Sequence, residues 1–116
     1  KEDQIIFFGS IDSREDYKIF GIESDNIKIG ACGLKNIESS KAEYWGYIGE
    51  KSCWGKGLGN QLIYKMLIKA KEMGLKKVYL KVSNTNFKAI NLYKKFKFIE
   101  NISLSSNNVI YMEVDI

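Results

Sequence analysis

The spacing of apolar and polar residues predicts strands in the first half of the chain. Residues 17–23 (YKIFGIE) and 28–34 (KIGACGL) have a strand-like pattern, and the polar residues 24–26 between them favour a turn. We therefore predict that the two segments form a β-hairpin. Residues 42–49 (AEYWGYIG) combine aromatic and β-branched side chains, which strands prefer, so a third strand is predicted there.

From residue 58 the apolar side chains recur at intervals of three and four, which is the spacing of one helix face. Gly74 follows this segment where a helix C-cap is expected. Residues 76–83 then alternate apolar and polar side chains, as a half-buried strand does. A strand, a helix and a strand in this order predict a parallel strand pair. The apolar positions at helical spacing are Leu58, Leu62, Ile63, Met66, Leu67, Ala70 and Met73.

The last third of the chain is predicted to contain a second helix and a second hairpin. Residues 84–86 (NTN) offer N-cap side chains to a helix over residues 87–95. Residues 98–104 and 109–114 are predicted strands, because a turn-rich segment separates them. Without repeats, proline or a linker, residues 1–116 are predicted to form a single α+β domain, with a mixed, mostly antiparallel sheet that contains a parallel central pair.

The composition is typical of one globular domain, since 45% of the 116 residues are hydrophobic and 28% are charged. The net charge of +4 arises from 17 lysines and Arg14 against 14 acids, a mild basicity that suits an anionic ligand. Nucleic-acid binding is disfavoured, because Lys and Arg form no block and only one residue can make bidentate contacts with guanine. The first residue is Lys and residues 5–8 are apolar, so we expect that the start of a larger domain is missing.

Cysteine and histidine usage disfavours several kinds of site. Cys32 and Cys53 lack the spacing of zinc ligands, and the chain has no histidine to complete a metal site or a nucleophile and base pair. We therefore predict no metal, and reduced thiols in a cytoplasmic protein. No apolar run approaches the length of a membrane span, so no membrane partner is expected.

The strongest chemical signal is a glycine-rich loop between the third predicted strand and the first predicted helix. Glycines let the backbone approach a ligand closely, and the unpaired N–H groups of a helix N-terminus suit a pyrophosphate. The alternative is that the glycines only make a tight connection. Neither the Walker pattern nor the dinucleotide fingerprint fits, which disfavours kinase and dehydrogenase chemistry. The loop consists of Trp54, Gly55, Lys56, Gly57, Leu58, Gly59 and Asn60.

The loop resembles motif A of the GNAT acetyltransferases, Arg/Gln-x-x-Gly-x-Gly/Ala, with Trp54 at the first position. Residues 86–98 (NFKAINLYKKFKF) resemble the family segment Asn-x-x-Ala-x-x-Leu-Tyr-x-x-x-Gly-Phe, with Lys97 in the place of the glycine. The resemblance covers residues 17–116. It implies the GNAT fold without its first strand and part of its first helices, and acetyl-CoA as the co-substrate.

The resemblance also implies which residues contact the cofactor. Tyr93 matches the tyrosine that donates a proton to the departing thiolate, and Asn86 matches a residue that contacts the cofactor arm. The simpler alternatives are that Tyr93 fills the core and that Asn86 caps its helix. The backbone of Tyr47, Ile48 and Gly49 is implied to pair with the pantetheine amides like an added strand, and its N–H groups to polarise the thioester.

The general base is the least defined part of the predicted site. A related class has a Glu on the strand before the second helix, where this chain has Lys81. Glu43 is the substitute candidate, acting on the amine through water, and the alternative is a solvated strand carboxylate. Trp45 and Tyr47 share one strand face and are candidates for the acceptor pocket, with core packing as the alternative.

Three functions stay open at this point. The resemblance is to the branch with N-terminal acetyltransferases of ribosomal proteins and acetyltransferases of nucleotide-linked amino sugars, and it is slightly closer to the latter. It implies transfer of an acetyl group from acetyl-CoA to a primary amine of a small molecule, with a protein N-terminal amine as the alternative. A non-catalytic acyl-CoA-binding module is the third, and a homodimer also stays open.

Overall fold

The computed structural model describes residues 5–10, 17–24, 27–48 and 57–116. The first four strands are followed by a helix, a strand and a helix, and two strands with a short 3-10 helix between them end the chain. The elements are β1 (Ile5–Ser10), β2 (Tyr17–Ser24), β3 (Ile27–Glu38), β4 (Lys41–Ile48), α1 (Leu58–Glu72), β5 (Lys77–Ser83), α2 (Phe87–Lys95), β6 (Ile99–Glu100), the 3-10 helix (Ile102–Leu104) and β7 (Val109–Asp115).

The strands form one seven-stranded sheet in the order β1-β2-β3-β4-β5-β7-β6. Strands β4 and β5 are parallel, and the other neighbours are antiparallel. The predicted α+β class with one parallel central pair is therefore confirmed, as are both predicted hairpins. Strand β1, which pairs with β2, was not predicted from the sequence.

One of the predicted strands is wrong in its second half. Residues 98–104 contain only the two-residue strand β6, and the chain then turns into the 3-10 helix. The side chain of Asn101 accepts a hydrogen bond from the backbone N–H of Leu104 at 3.3 Å, and the hydroxyl of Ser105 donates to the carbonyl of Asn101 at 2.9 Å. These local bonds compete with the strand ladder and end β6 early.

The two faces of the sheet differ in what they carry. On β5, Val78, Leu80 and Val82 are buried, whereas Tyr79 and Lys81 between them point to the opposite face. Both α-helices pack on the first face, named here the helix face, and the opposite one is the second face. The structure, in the part of the chain that it describes, has no α-helix long and apolar enough to span a bilayer. The buried core residues of the helix face include Leu34, Ala42, Tyr44, Val78, Leu80 and Met112 from the sheet and Leu62, Ile63, Met66 and Ala70 from α1.

Helix α1 ends in a Schellman motif, as Gly74 predicted. The N–H of Leu75 bonds to the carbonyl of Ala70 at 3.0 Å, and the N–H of Gly74 bonds to the carbonyl of Lys71 at 3.0 Å. The glycine has φ +83°, in the left-handed region that glycine adopts without steric cost.

Helix α2 ends in the same motif without a glycine. The N–H of Phe98 bonds to the carbonyl of Tyr93 at 3.1 Å, and the N–H of Lys97 bonds to the carbonyl of Lys94 at 3.0 Å. Lys97 has φ +73° at the position that Gly74 takes in α1. A left-handed conformation costs an L-residue about 1–2 kcal/mol, because Cβ comes too close to the following carbonyl oxygen. The backbone of Lys97 is therefore strained.

We expect that Lys97→Gly stabilises the domain. Relief of the left-handed strain outweighs the greater entropy of glycine in the unfolded chain, for a net gain of about 0.5–1 kcal/mol. Thermal unfolding would show this as a rise of about 2–4 °C in the melting temperature. The reciprocal change at the matched position, Gly74→Lys, should lower the melting temperature, and equal responses to both changes would contradict the explanation.

Candidate functional site

The parallel pair at the centre of the sheet separates after three residue pairs. Beyond Glu43 and Tyr79, β4 continues to pair with β3 as far as Ile48, and β5 continues to pair with β7 as far as Ser83. In the described residues no ladder bond joins the inner edges of residues 44–48 and 80–83, and this region is named the strand gap. The pairs that join the two strands are Lys41 with Lys77, Ala42 with Val78 and Glu43 with Tyr79.

Both helices approach the strand gap on the helix face. A Cβ at Gly46 of β4 would touch the hydroxyl of Tyr44 and lie 3.4 Å from Cδ1 of Leu62 in α1. A Cβ at Gly59, in the first turn of α1, would lie 2.9 Å from Cδ2 of Leu92 in α2. Glycine at these two positions therefore allows the second half of β4, the start of α1 and the middle of α2 to pack closely.

The N-terminus of α1 has the features that the glycine loop predicted. The N-cap is Gly57 with φ +76°, no side chain caps the helix, and the first turn contains no acid. The first N–H groups of a helix have no intrahelical acceptor and form its positive end. If the glycines only made a tight turn, the conformation of Gly57 would be explained, but these N–H groups would still lack a hydrogen-bond acceptor. Trp54, Gly55, Lys56 and Gly49 lie outside the described residues, so their predicted contacts stay predictions.

Tyr93 lies on α2 within an aromatic group on the helix face. Its ring makes an edge contact with Tyr44, with centroids 6.3 Å apart, and a tilted contact with Phe98 at 5.8 Å. The side chain is partly buried, and this burial raises the pKa of Tyr93 above the usual value for tyrosine. The phenol therefore keeps its proton at neutral pH, as a proton donor must. The ring thus packs in the core, as the alternative proposed, and the role of the hydroxyl as a proton donor stays a prediction.

Asn86 caps α2, as one of its two interpretations predicted. Its Oδ1 accepts a hydrogen bond from the N–H of Ala89 at 3.2 Å, and the side chain is exposed. The cap uses this oxygen, so the predicted contact of Asn86 with the cofactor stays a prediction.

Glu43 is buried, so the alternative of a solvated carboxylate is wrong. Only 7% of the residue is exposed. The Nδ2 of Asn36 donates to its Oε1 at 3.1 Å, and the Nζ of Lys35 lies 4.0 Å from its Oε2. Burial and the charge of Glu43 raise the pKa of the neighbouring Tyr79, and a hydrogen bond from Asn36 lowers it. Glu43 thus belongs to a polar group at the last residue pair before the strand gap.

Trp45 is the next residue of β4 on the second face. It pairs with Gly33 of β3, and a Cβ at Gly33 would lie 3.1 Å from the indole nitrogen. The indole N–H is buried and has no hydrogen-bond partner in the structure, although the ring is partly exposed. Only the backbone of Tyr47 and Ile48 is described. Their predicted contacts with substrate and cofactor stay predictions.

A match to a protein-family model decides which family this arrangement represents. The model described as the acetyltransferase (GNAT) family matches residues 1–98, which is most of the chain. The chain belongs to the GNAT acetyltransferase family. The strand gap, the uncapped start of α1 and Tyr93 therefore lie in a GNAT domain, in agreement with the resemblance of the two sequence motifs.

One curated relative matches most of this GNAT domain in sequence. The chain is 26% identical over 111 residues to the uncharacterized protein MJ1062 of Methanocaldococcus jannaschii. This alignment covers 95% of this chain and 23% of that protein. The chain thus spans about a quarter of the length of this curated relative.

Two solved structures extend the comparison. A domain from Methanocaldococcus jannaschii superimposes with a TM-score of 0.85 at 19% identity, covering 99% of this chain and all of that one. The spermidine N-acetyltransferase of Vibrio cholerae, solved with CoA and spermine, superimposes with a TM-score of 0.78 at 26% identity, covering 87% of this chain and 66% of that one. Both confirm the predicted GNAT fold.

Sequence reasoning missed several residues of the site. Asn36 was overlooked because the bulge that turns it toward Glu43 depends on strand pairing. The stacked rings of Tyr79 and Tyr111, with centroids 5.1 Å apart, were also not predicted, although Tyr79 alternates with buried neighbours in β5. Lys81, in the place of the family Glu, pairs with Tyr111 and is exposed.

The cysteines and the possible metal ligands bear on whether the site uses a thiolate nucleophile or a metal ion. Burial raises the pKa of the Cys32 thiol to about 12, so Cys32 is not a thiolate nucleophile at neutral pH. Cys53 lies outside the described residues. In the described ranges no three His, Cys, Asp or Glu side chains are grouped so that they could hold a metal ion.

Proposed function

We propose that this GNAT domain transfers the acetyl group of acetyl-CoA to a primary amine by direct attack. The observation that carries the proposal is the strand gap, which has the uncapped start of α1 and the Tyr93 side chain on its helix face. An extended ligand with amides along its length and phosphates at one end fits these features, since it can bond to a free strand edge and to a helix N-terminus.

The residues of the chain divide the binding of acetyl-CoA between two elements. The backbone of Tyr47, Ile48 and Gly49 would pair with the pantetheine amides as an added strand. The pyrophosphate would lie on the N–H groups of Leu58 to Asn60 with the loop from Trp54 to Gly57, where the positive end of α1 favours an anion. Lys56 would add a positive charge, and Asn86 would contact the cofactor arm beside its helix cap.

Bound acetyl-CoA supplies a thioester whose carbonyl carbon an amine can attack. As the bond between the carbonyl carbon and the sulfur breaks, the phenolic O–H of Tyr93 donates a hydrogen bond to the departing sulfur and stabilises the negative charge of the thiolate, whose pKa is about 8.5. Glu43 takes the proton of the attacking amine through water on the second face. The buried, protonated thiol of Cys32 supports direct attack over an acetyl-Cys32 intermediate.

The second face favours an acceptor that is not a polycation. The acids of β4 and β7 on this face already have partners. Glu43 accepts a hydrogen bond from Asn36, and the Nζ of Lys77 lies 3.7 Å from Oε1 of Glu113 and 3.8 Å from Oδ1 of Asp115. A polyamine such as the spermine bound by the Vibrio cholerae protein would have to displace these partners. The amino group of a nucleotide-linked amino sugar is therefore our first candidate, with Trp45 and Tyr47 beside it, and a protein N-terminal amine is the second.

Thermal unfolding with acetyl-CoA tests the cofactor, with NAD and ATP as controls. A ligand at 100 times its dissociation constant adds about 2.7 kcal/mol, which is several degrees for a domain of this size. We expect a shift with acetyl-CoA alone. Release of CoA should then be measured with a nucleotide-linked amino sugar, a short peptide and spermine.

The possible outcomes separate the functions. Turnover with the amino sugar would support the proposal, and turnover with the peptide alone would favour the second candidate. A shift without turnover on any amine would favour a non-catalytic acyl-CoA-binding module. No shift with acetyl-CoA would contradict both an enzyme and a binding module.

A further inference from the structure

A β-bulge turns an asparagine toward the candidate base. The pairing of β3 with β4 shifts its register between Lys35 and Glu38, and Asn36 within this bulge has φ +51°. Asparagine is one of the few residues other than glycine that adopt this left-handed conformation readily. A bulge redirects the side chain that it contains, and here the Asn36 amide reaches Glu43 on the neighbouring strand.

Among the described residues, Asn36 makes a shorter polar contact with the Glu43 carboxylate than Lys35 does. The amide nitrogen lies 3.1 Å from Oε1, whereas the ammonium of Lys35 lies 4.0 Å from Oε2, at the limit of an ion pair. Because only 7% of Glu43 is exposed, bulk solvent does little to orient the carboxylate, and its orientation depends on this amide. Burial and Glu43 raise the pKa of Tyr79, the other member of the last β4–β5 pair, whereas the same amide lowers it.

We propose that Asn36 is a positioning residue, which holds the Glu43 carboxylate at the edge of the strand gap in the orientation that accepts the proton of the acceptor amine. The inference rests on the proposed function, because it assumes that Glu43 acts on an amine. Asn36 touches neither the cofactor nor the amine in this mechanism. It acts through Glu43, since a proton acceptor that rotates freely is aligned for only a part of the time.

The test compares Asn36→Gly with Ser39→Gly, measured by steady-state kinetics on the acceptor amine that gives turnover. Ser39 has φ +44° at the turn that joins β3 to β4, and it is exposed, so both changes put glycine at a left-handed position. Loss of a hydrogen bond to a charged group should lower the kcat of Asn36→Gly about tenfold. We expect an unchanged KM for acetyl-CoA in both variants, and an unchanged kcat in Ser39→Gly.

A double-mutant cycle separates positioning from structure. If Asn36 acts through Glu43, the Asn36→Gly change should have no further effect on kcat in a Glu43→Gln background. If the double variant instead loses kcat by the product of the two single-variant factors, the two residues act independently and the inference is overturned. A normal kcat in Asn36→Gly would also overturn it. Should Asn36→Gly fail to fold, Asn36→Asp replaces it, because Asp keeps the size and the left-handed preference. It removes the donor and adds a like charge beside Glu43, so kcat should fall at least as far, and this fall should also be absent in the Glu43→Gln background.

The failure of this inference is distinguishable from the failure of the proposed function. A domain that acetylates an amine at normal rate in the Glu43→Gln variant would keep the acetyltransferase function and overturn the role of Asn36. A domain without turnover on any amine would overturn both.

Discussion

Replacement of Tyr93 by Phe is expected to lower kcat about 100-fold without loss of acetyl-CoA binding. A positioned donor contributes about 10²–10⁴ in rate, and the phenol of Tyr93, whose pKa is raised by burial, is protonated at neutral pH. Phe keeps the ring that contacts Tyr44 and Phe98, so the core packing is preserved. The measurement is kcat for the acceptor amine together with the thermal shift produced by acetyl-CoA.

A matched variant controls for the loss of a phenol elsewhere. Tyr64 lies on α1 with 57% of its surface exposed, and Tyr64→Phe should leave kcat unchanged. A Tyr93→Phe enzyme with normal kcat would remove Tyr93 from the mechanism. A smaller thermal shift with acetyl-CoA would instead show that the hydroxyl binds the cofactor in the ground state.

The change Asn60→Asp is expected to have opposite effects on the free domain and on ligand binding. Asn60 is exposed in the first turn of α1, which has no acid. A carboxylate there interacts favourably with the positive end of the helix, worth about 0.3–1 kcal/mol. The same charge repels a pyrophosphate, and two charges about 4 Å apart near a protein surface interact by about 1–4 kcal/mol. We expect acetyl-CoA to bind about 30-fold more weakly.

Melting temperatures with and without acetyl-CoA, and a binding isotherm, measure both effects. Asn107→Asp makes the same chemical change at an exposed position in the β6–β7 connection and should alter neither quantity. Unchanged affinity in Asn60→Asp would show that the phosphates do not lie at the start of α1, and the glycine loop would then be only a turn.

The parts of the fold that were predicted correctly depend on local patterns. The alternation of Val78, Leu80 and Val82 with polar residues reports which face of β5 is buried, whichever strands flank it. Gly74 marks the end of α1 because the left-handed turn needs a residue without a Cβ. The parallel pair follows from the order of a strand, a helix and a strand. Each of these signals is contained within a few neighbouring residues.

The missed parts of the site depend on pairing between distant segments. The burial of Glu43 is set by Lys35 on β3 and Tyr79 on β5, which no local pattern of β4 reveals. The orientation of Asn36 results from a register shift, which exists only when two strands pair. The sequence motifs thus indicated the proposed cofactor half of the site, where backbone and helix ends dominate, and did not predict the arrangement of the proposed acceptor half.

The three residue pairs between β4 and β5 have a consequence for how the domain opens. In the described residues they are the only ladder that joins β1–β4 to the remaining strands. Sub-global unfolding along this seam should therefore require less free energy than separation of β2 from β3. A ligand with amides along the inner edge of β4 would close the seam like a missing strand, so hydrogen exchange of the amides of β4 and β5 would slow on binding while that of β2 changed little.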